Sequence, residues 1–93
     1  MRVRFFALLR KDAGTGVAEV SAGPATADVG GLVAALSARF GPAFDRWVLD
    51  ENRDLRPDII VLVNGRNVRF LDGLRTPLKE EDEVAIFPPV AGG

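Results

Sequence analysis

Glu83-Val84-Ala85-Ile86-Phe87-Pro88-Pro89-Val90-Ala91-Gly92-Gly93 closes the sequence and governs how the residues before it are arranged. Val84 and Ile86 alternate with Ala85 and Phe87, the period of a β-strand. Proline has a fixed φ and no N–H, so Pro88 and Pro89 stop strand pairing and hold the chain in an extended exit. Glycine has no Cβ, so Gly92 and Gly93 fit a channel too narrow for any side chain. Four extended residues, Val90 to Gly93, reach about 13 Å. Residues 1–87 are therefore read as a folded domain and residues 88–93 as an extended, flexible tail. At the usual glycine frequency of about 7%, a terminal Gly-Gly arises by chance roughly once in two hundred chains, so the pair counts only with its context.

Read as the end of the chain, Gly93 carries a free carboxylate. A carboxylate is a poor acyl donor, because its charge repels nucleophiles and oxide does not leave. Joined to AMP it becomes a mixed anhydride that sulfur or nitrogen can open. A terminus reacting this way is itself the substrate and needs no catalytic side chain. The plainer reading is a frayed surface terminus, where glycine is common.

Composition narrows the choice. The 93 residues hold one modest core, with 47% hydrophobic and 27% charged residues, as in an ordinary globular domain. A net charge of −1 with scattered Lys and Arg argues against a nucleic-acid surface. Without cysteine there is no disulfide framework, thiolate metal site or iron–sulfur cluster. Without histidine the commonest general base and metal ligand are missing, along with every Ser/Cys-His triad. The apolar run after Arg4 is cut short by Arg10-Lys11-Asp12, well below the length of a signal-peptide core, and no later run is long enough for a membrane span. A cytoplasmic location is the expectation.

Along the chain, residues 2–10 read as a strand with Val3, Phe5, Ala7 and Leu9 on one face and Arg2, Arg4, Phe6, Leu8 and Arg10 on the other. Residues 12–16 read as a turn. Gly14-Thr15-Gly16 precedes a strand and lacks the lysine of a phosphate loop, so it is a hairpin turn, with residues 17–22 returning. Asp28 is the expected N-cap of the principal helix, whose stripe Val29, Leu32, Val33, Leu36 and Phe40 is core, and Gly41-Pro42 stops it. Gly30 and Gly31 each weaken that helix by about 1 kcal/mol relative to Ala, so packing must compensate. Phe44, Trp47 and Val48 line a short helical turn. Trp47 is expected to cap one end of the core, with a partner anchor as the other reading. Residues 50–58 form a solvated loop of mixed charge. Ile59 to Val63 are β-favouring, Asn64-Gly65 is a strong hairpin signal and residues 66–70 return. Leu74 and Leu78 dip into the core. The acidic turn Lys79-Glu80-Glu81-Asp82 lacks the spaced ligands and central glycine of a calcium loop, so no metal is expected there.

The order strand, strand, helix, then three strands predicts an α+β fold, with one main helix on one face of a mixed sheet of about five strands. If the first and last strands are central and parallel, the helix is their crossover and the fold is a β-grasp. The helix covers one face only. Phe6, Leu8, Ile59, Val61, Val63 and Phe87 are expected on the other, as an exposed patch near the tail, and such patches mark protein partners.

These residues resemble the ubiquitin-like MoaD/ThiS sulfur carriers, the MoaD type in particular. The likeness lies in Val3-Arg4-Phe5-Phe6-Ala7-Leu8-Leu9-Arg10, in Val63-Asn64-Gly65, and in Asp82 through Gly93, and it covers nearly the whole chain. The resemblance implies a ubiquitin-like β-grasp whose Gly93 is adenylated by a MoeB/ThiF-like enzyme using ATP and then carries sulfur as a thiocarboxylate. Gly92 and Gly93 would enter a MoaE-like large subunit of molybdopterin synthase, with Pro88, Pro89 and Val90 at the docking surface beside Phe6, Leu8, Val61, Val63 and Phe87. No resident cofactor, nucleic acid or membrane partner is implied. Residues 43–58 make the chain longer than the shortest MoaD proteins. Residues 67–78 are similar to a longer subgroup that includes carriers for cysteine synthesis and archaeal modifiers joined to lysines. The alternatives are therefore a lysine-conjugated modifier, a carrier for cysteine or thiamine synthesis, or an interaction module with an idle tail.

Overall fold

The computed structural model describes residues 1–89. Strand β1 (Arg2–Phe5) is followed by helix α1 (Ala7–Ala13), β2 (Val17–Glu19), α2 (Val29–Phe40), α3 (Pro42–Val48), β3 (Ile60–Val63), β4 (Arg66–Asn67) and β5 (Glu83–Phe87). Short 3-10 turns occupy Pro24–Thr26, Val68–Phe70 and Gly73–Arg75. The sheet order is β2-β1-β5-β3-β4. β1 and β5 lie side by side and parallel, with Val3 opposite Val84 and Phe5 opposite Ile86, while the other pairs are antiparallel. This is the expected β-grasp.

Helix α2 begins where Asp28 accepts a hydrogen bond from the Gly31 N–H at 2.8 Å, tying down one of the free amides of its first turn. Val29, Leu32, Val33 and Leu36 are buried, and Phe40 packs edge-on against Phe5 with ring centroids 5.4 Å apart. The core they cover contains Val3, Phe5, Val61, Val63, Val84 and Ile86 from the three central strands. Gly41, at φ 71°, ends the helix, and Pro42 opens α3, where its missing N–H costs nothing. Phe44 and Val48 of α3 are buried, and Trp47 is half-buried against the core. Leu78 is buried and Leu74 packs against the core, as expected.

Three expectations need correction. The first strand ends at Phe5 rather than residue 10: Ala7 turns the backbone to φ 55°, and residues 7–13 form α1, closed by Gly14 at φ 78°. Leu9 accordingly reaches the core from a helix, and Leu8 projects from α1 rather than from the sheet. The strand after Asn64-Gly65 is only two residues long, because Val68 turns inward to be buried and starts a 3-10 turn. Ile59, Val61 and Val63 are 1%, 1% and 7% exposed, so they belong to the core and not to an open patch. Val61 pairs with Ile86 and Val63 with Val84, so each lies on the α2 side with its partner.

Candidate functional site

The open face of the sheet follows from strand parity. On β5, Val84 and Ile86 are buried, which leaves Ala85 and Phe87 on the other side. Ile60 pairs with Phe87 and Leu62 with Ala85, bringing two further apolar side chains to that side. Ile60 is 42% exposed and Leu62 half-buried. Phe6, just past β1, stacks on Phe87 with centroids 4.2 Å apart and planes within 11°. Such a pair adds about 0.5–1.5 kcal/mol beyond its buried area. The Phe6 N–H also donates to the Ile86 carbonyl at 3.3 Å, continuing the β1–β5 ladder to the end of β5. Two rings are thus fixed at the point where the chain leaves the sheet.

The far end of the same face is ionic. Arg4 donates through Nε to Glu83 Oε1 at 2.7 Å, and Arg2 to Glu19 Oε1 at 3.2 Å. Exposed pairs of this kind contribute about 0–1 kcal/mol each, so they shape charge more than stability. The acidic turn is occupied internally. Asp82 accepts from the Asn64 side-chain amide at 2.9 Å and from the Lys79 N–H at 2.8 Å. Glu80 accepts the Ala22 N–H at 2.7 Å and faces the Met1 amino group at 3.4 Å. The Ala22 hydrogen bond first, and the amino-group charge second, hold the Glu80 carboxyl below its ordinary value.

The expected site residues therefore separate. Phe6 and Phe87 meet on the open face, Pro88 beyond them is buried and Pro89 half-buried. Leu8 is exposed on α1. Val61 and Val63 leave the site for the core, and Ile60 and Leu62 take their place. The signal for that exchange was in the sequence: Val84 and Ile86 had to share a face with every second residue of the antiparallel neighbour. Val90, Gly92 and Gly93 lie outside the described residues. Trp47, considered as a partner anchor, instead donates its indole N–H to Asp12 Oδ2 at 2.7 Å, joining α3 to α1. Arg46 completes the junction, 3.1 Å from the same carboxylate and over the Trp47 ring.

A parallel β1–β5 core strapped by one long helix, with an apolar sheet face beside the chain exit, defines a ubiquitin-like protein. The ThiS family profile matches residues 3–93, and the chain belongs to that family of ubiquitin-like sulfur carriers. It is 36% identical to the molybdopterin synthase sulfur carrier subunit of Escherichia coli, covering 100% of this chain and 99% of that one. It is 42% identical over 67 residues to small archaeal modifier protein 3 of Haloferax volcanii, 72% of this chain and 71% of the relative. The crystal structure of SAMP1 from Haloferax volcanii superposes with a TM-score of 0.86 at 33% identity, covering 100% of this chain and 98% of that one. No helix among the described residues is long and apolar enough to cross a membrane.

Proposed function

We propose that this chain carries sulfur on its own C-terminus and serves as the small subunit of a molybdopterin synthase. The Gly93 carboxylate attacks the α-phosphorus of ATP on a MoeB/ThiF-like enzyme, and pyrophosphate leaves. A sulfide equivalent then attacks the acyl carbon, AMP leaves, and a terminal thiocarboxylate remains. Gly92 and Gly93 enter a MoaE-like large subunit, which takes the sulfur. Phe6, Phe87, Ile60 and Leu62 are the surface against which these enzymes close, with Pro88, Pro89 and Val90 directing the tail inward.

The observation that supports this reading best is the stacked Phe6–Phe87 pair where the described chain leaves the sheet, inside an apolar face that no helix among the described residues covers. Full-length similarity to a molybdopterin synthase sulfur carrier subunit favours this destination for the sulfur. The test is intact mass after incubation with the activating enzyme, ATP and a sulfur donor. Exchange of one terminal oxygen for sulfur is expected, and an unchanged mass overturns the proposal.

Similarity to small archaeal modifier proteins supports a second reading, in which Gly93 ends in an isopeptide bond to lysine. A Gly-Gly remnant on lysines of other proteins after digestion identifies that outcome.

A further inference from the structure

Helix α1 turns a cationic stripe toward the turn that follows it. Ala7, Arg10, Lys11 and Gly14 recur at the i, i+3, i+4, i+7 spacing of one helical face, and with Thr15 and Gly16 they line a cleft of about 430 Å³. The opposite face of α1 puts Leu9 in the core and Asp12 against Trp47 and Arg46. The cleft therefore has two cations and no carboxylate on its walls. Arg10 and Lys11 are both exposed, and among the described residues neither is within ion-pair distance of an acid. The last carbonyls of α1 do not need them, since the Gly14 N–H already reaches those of Arg10 and Lys11 at 3.2 Å. The facing turn is ordered: Thr15 Oγ1 donates to the Val17 carbonyl at 2.9 Å, and the Gly16 carbonyl accepts the Phe5 N–H at 2.9 Å. Arg10 lies over Gly16, where a Cβ would fall 2.8 Å from its Nε. Gly16 does not take a positive φ, so what its missing side chain provides is room for the guanidinium.

Position and charge together name the occupant. Ala7 directly follows Phe6, whose ring stacks on Phe87, so the cleft adjoins the apolar face where the chain leaves the sheet. A protein that closes over Phe6 and Phe87 comes to the mouth of the cleft as well. Two cations without an acid beside them take an anionic group. The phosphates of ATP are the wrong distance away, because Gly93 lies six residues beyond Phe87, about 20 Å of extended chain. Carboxylate side chains on the enclosing enzyme are the anions that fall at the cleft itself. Activation asks most of such a contact, since it brings an anionic terminus up to an anionic nucleotide. A chain of net charge −1 offers no general attraction to offset that repulsion, and a local cationic cleft does.

We infer that Arg10 and Lys11, set over Gly16, form an ion-pair site that receives carboxylate side chains of the activating enzyme as it closes over Phe6 and Phe87. This rests on the reading of Gly93 as the group that enzyme activates. The test uses the full chain and the purified MoeB/ThiF-like enzyme. Arg10→Gln/Lys11→Gln and Gly16→Ala are compared with the parent by fluorescence anisotropy, with thermal melts confirming the fold. The double variant is expected to bind about tenfold more weakly and to lose most of the parent's salt dependence. Gly16→Ala keeps both charges but pushes the guanidinium aside, and is expected to bind about threefold more weakly. Inorganic phosphate is expected to weaken parental binding no more than sodium chloride of equal ionic strength does. Parental affinity in either variant, an unchanged salt dependence in the double variant, or absence of parental binding each overturns the inference. So does a phosphate effect beyond ionic strength, which would mark a small-anion site instead. Parental binding with the expected losses but no sulfur loaded on Gly93 overturns only the tail chemistry.

Discussion

A methyl group at position 31 meets backbone. A Cβ built on Gly31 falls 2.0 Å from the Ala25 carbonyl oxygen, an overlap that only displacement of the Pro24–Thr26 turn relieves. Alanine favours a helix over glycine by about 1 kcal/mol, so propensity alone predicts that Gly31→Ala stabilises α2. The steric term has the opposite sign and is larger. The substitution is expected to destabilise the protein by about 1–3 kcal/mol, seen as a melting temperature lowered by about 4–8 °C per kcal/mol. A rise in melting temperature would show that the turn moves freely. Three residues upstream, Asp28→Ala removes the side chain that caps Gly31 and is expected to cost about 1 kcal/mol, whereas Asp28→Asn keeps an acceptor and most of the stability. The cap was legible from one sequence because its signal is local. The carbonyl over Gly31 was not, since it comes from a turn whose path no pattern encodes.

Elements show the same division between local and distant causes. Asn64 and Gly65 were legible as a tight hairpin because both take positive φ, 51° and 84°, which that residue pair tolerates. Helix α1 was missed because its residues alternate acceptably as a strand, and the backbone reversal falls on Ala7, a residue type that gives no warning of it. Two helical signals were nonetheless present: Arg10 and Lys11 in the last turn, and Gly14 in the position of a left-handed cap. On β3 the error was one of parity, and it makes a sharp pair of predictions. Val61→Lys places a charge in the core beside Ile86 with no partner, which costs several kcal/mol against a total stability of about 5–15 kcal/mol. It is expected to leave the chain unfolded by circular dichroism. Ile60→Lys, one residue away on the open face, is expected to melt within a few degrees of the parent and yet lose binding to the activating enzyme at least tenfold. Folded Val61→Lys and unfolded Ile60→Lys together would reverse the assignment of the two faces.

At the scale of the whole molecule, Glu80 ties together parts of the chain 58 and 79 residues apart. Its carboxylate takes the Ala22 N–H and the Met1 amino group, so the segment after β2 and the start of β1 are fastened to the acidic turn before β5. Both contacts are stronger to the ionised acid, the Ala22 hydrogen bond first and the amino-group charge second, and the folded carboxyl therefore titrates below its ordinary value of 4.5. The sign follows by linkage. Glu80 contributes stability above the unfolded value, and that contribution disappears as pH falls through the lower folded value. Its side chain is 65% exposed, so solvent screens the effect and the shift in melting temperature is small. Arg2, Glu19, Glu81, Asp82 and Glu83 line the same cleft, so the acid response of the parent alone does not isolate one group. A difference measurement isolates the single group. Glu80→Gln is expected to melt below the parent at neutral pH, and the gap between the two is expected to close as pH falls from the ordinary value of 4.5 through the lower folded value. A gap that persists unchanged into acid would mean that the glutamate acts through its shape and hydrogen-bonding oxygens rather than its charge. The fastening of β1, β2 and β5 would then be independent of pH.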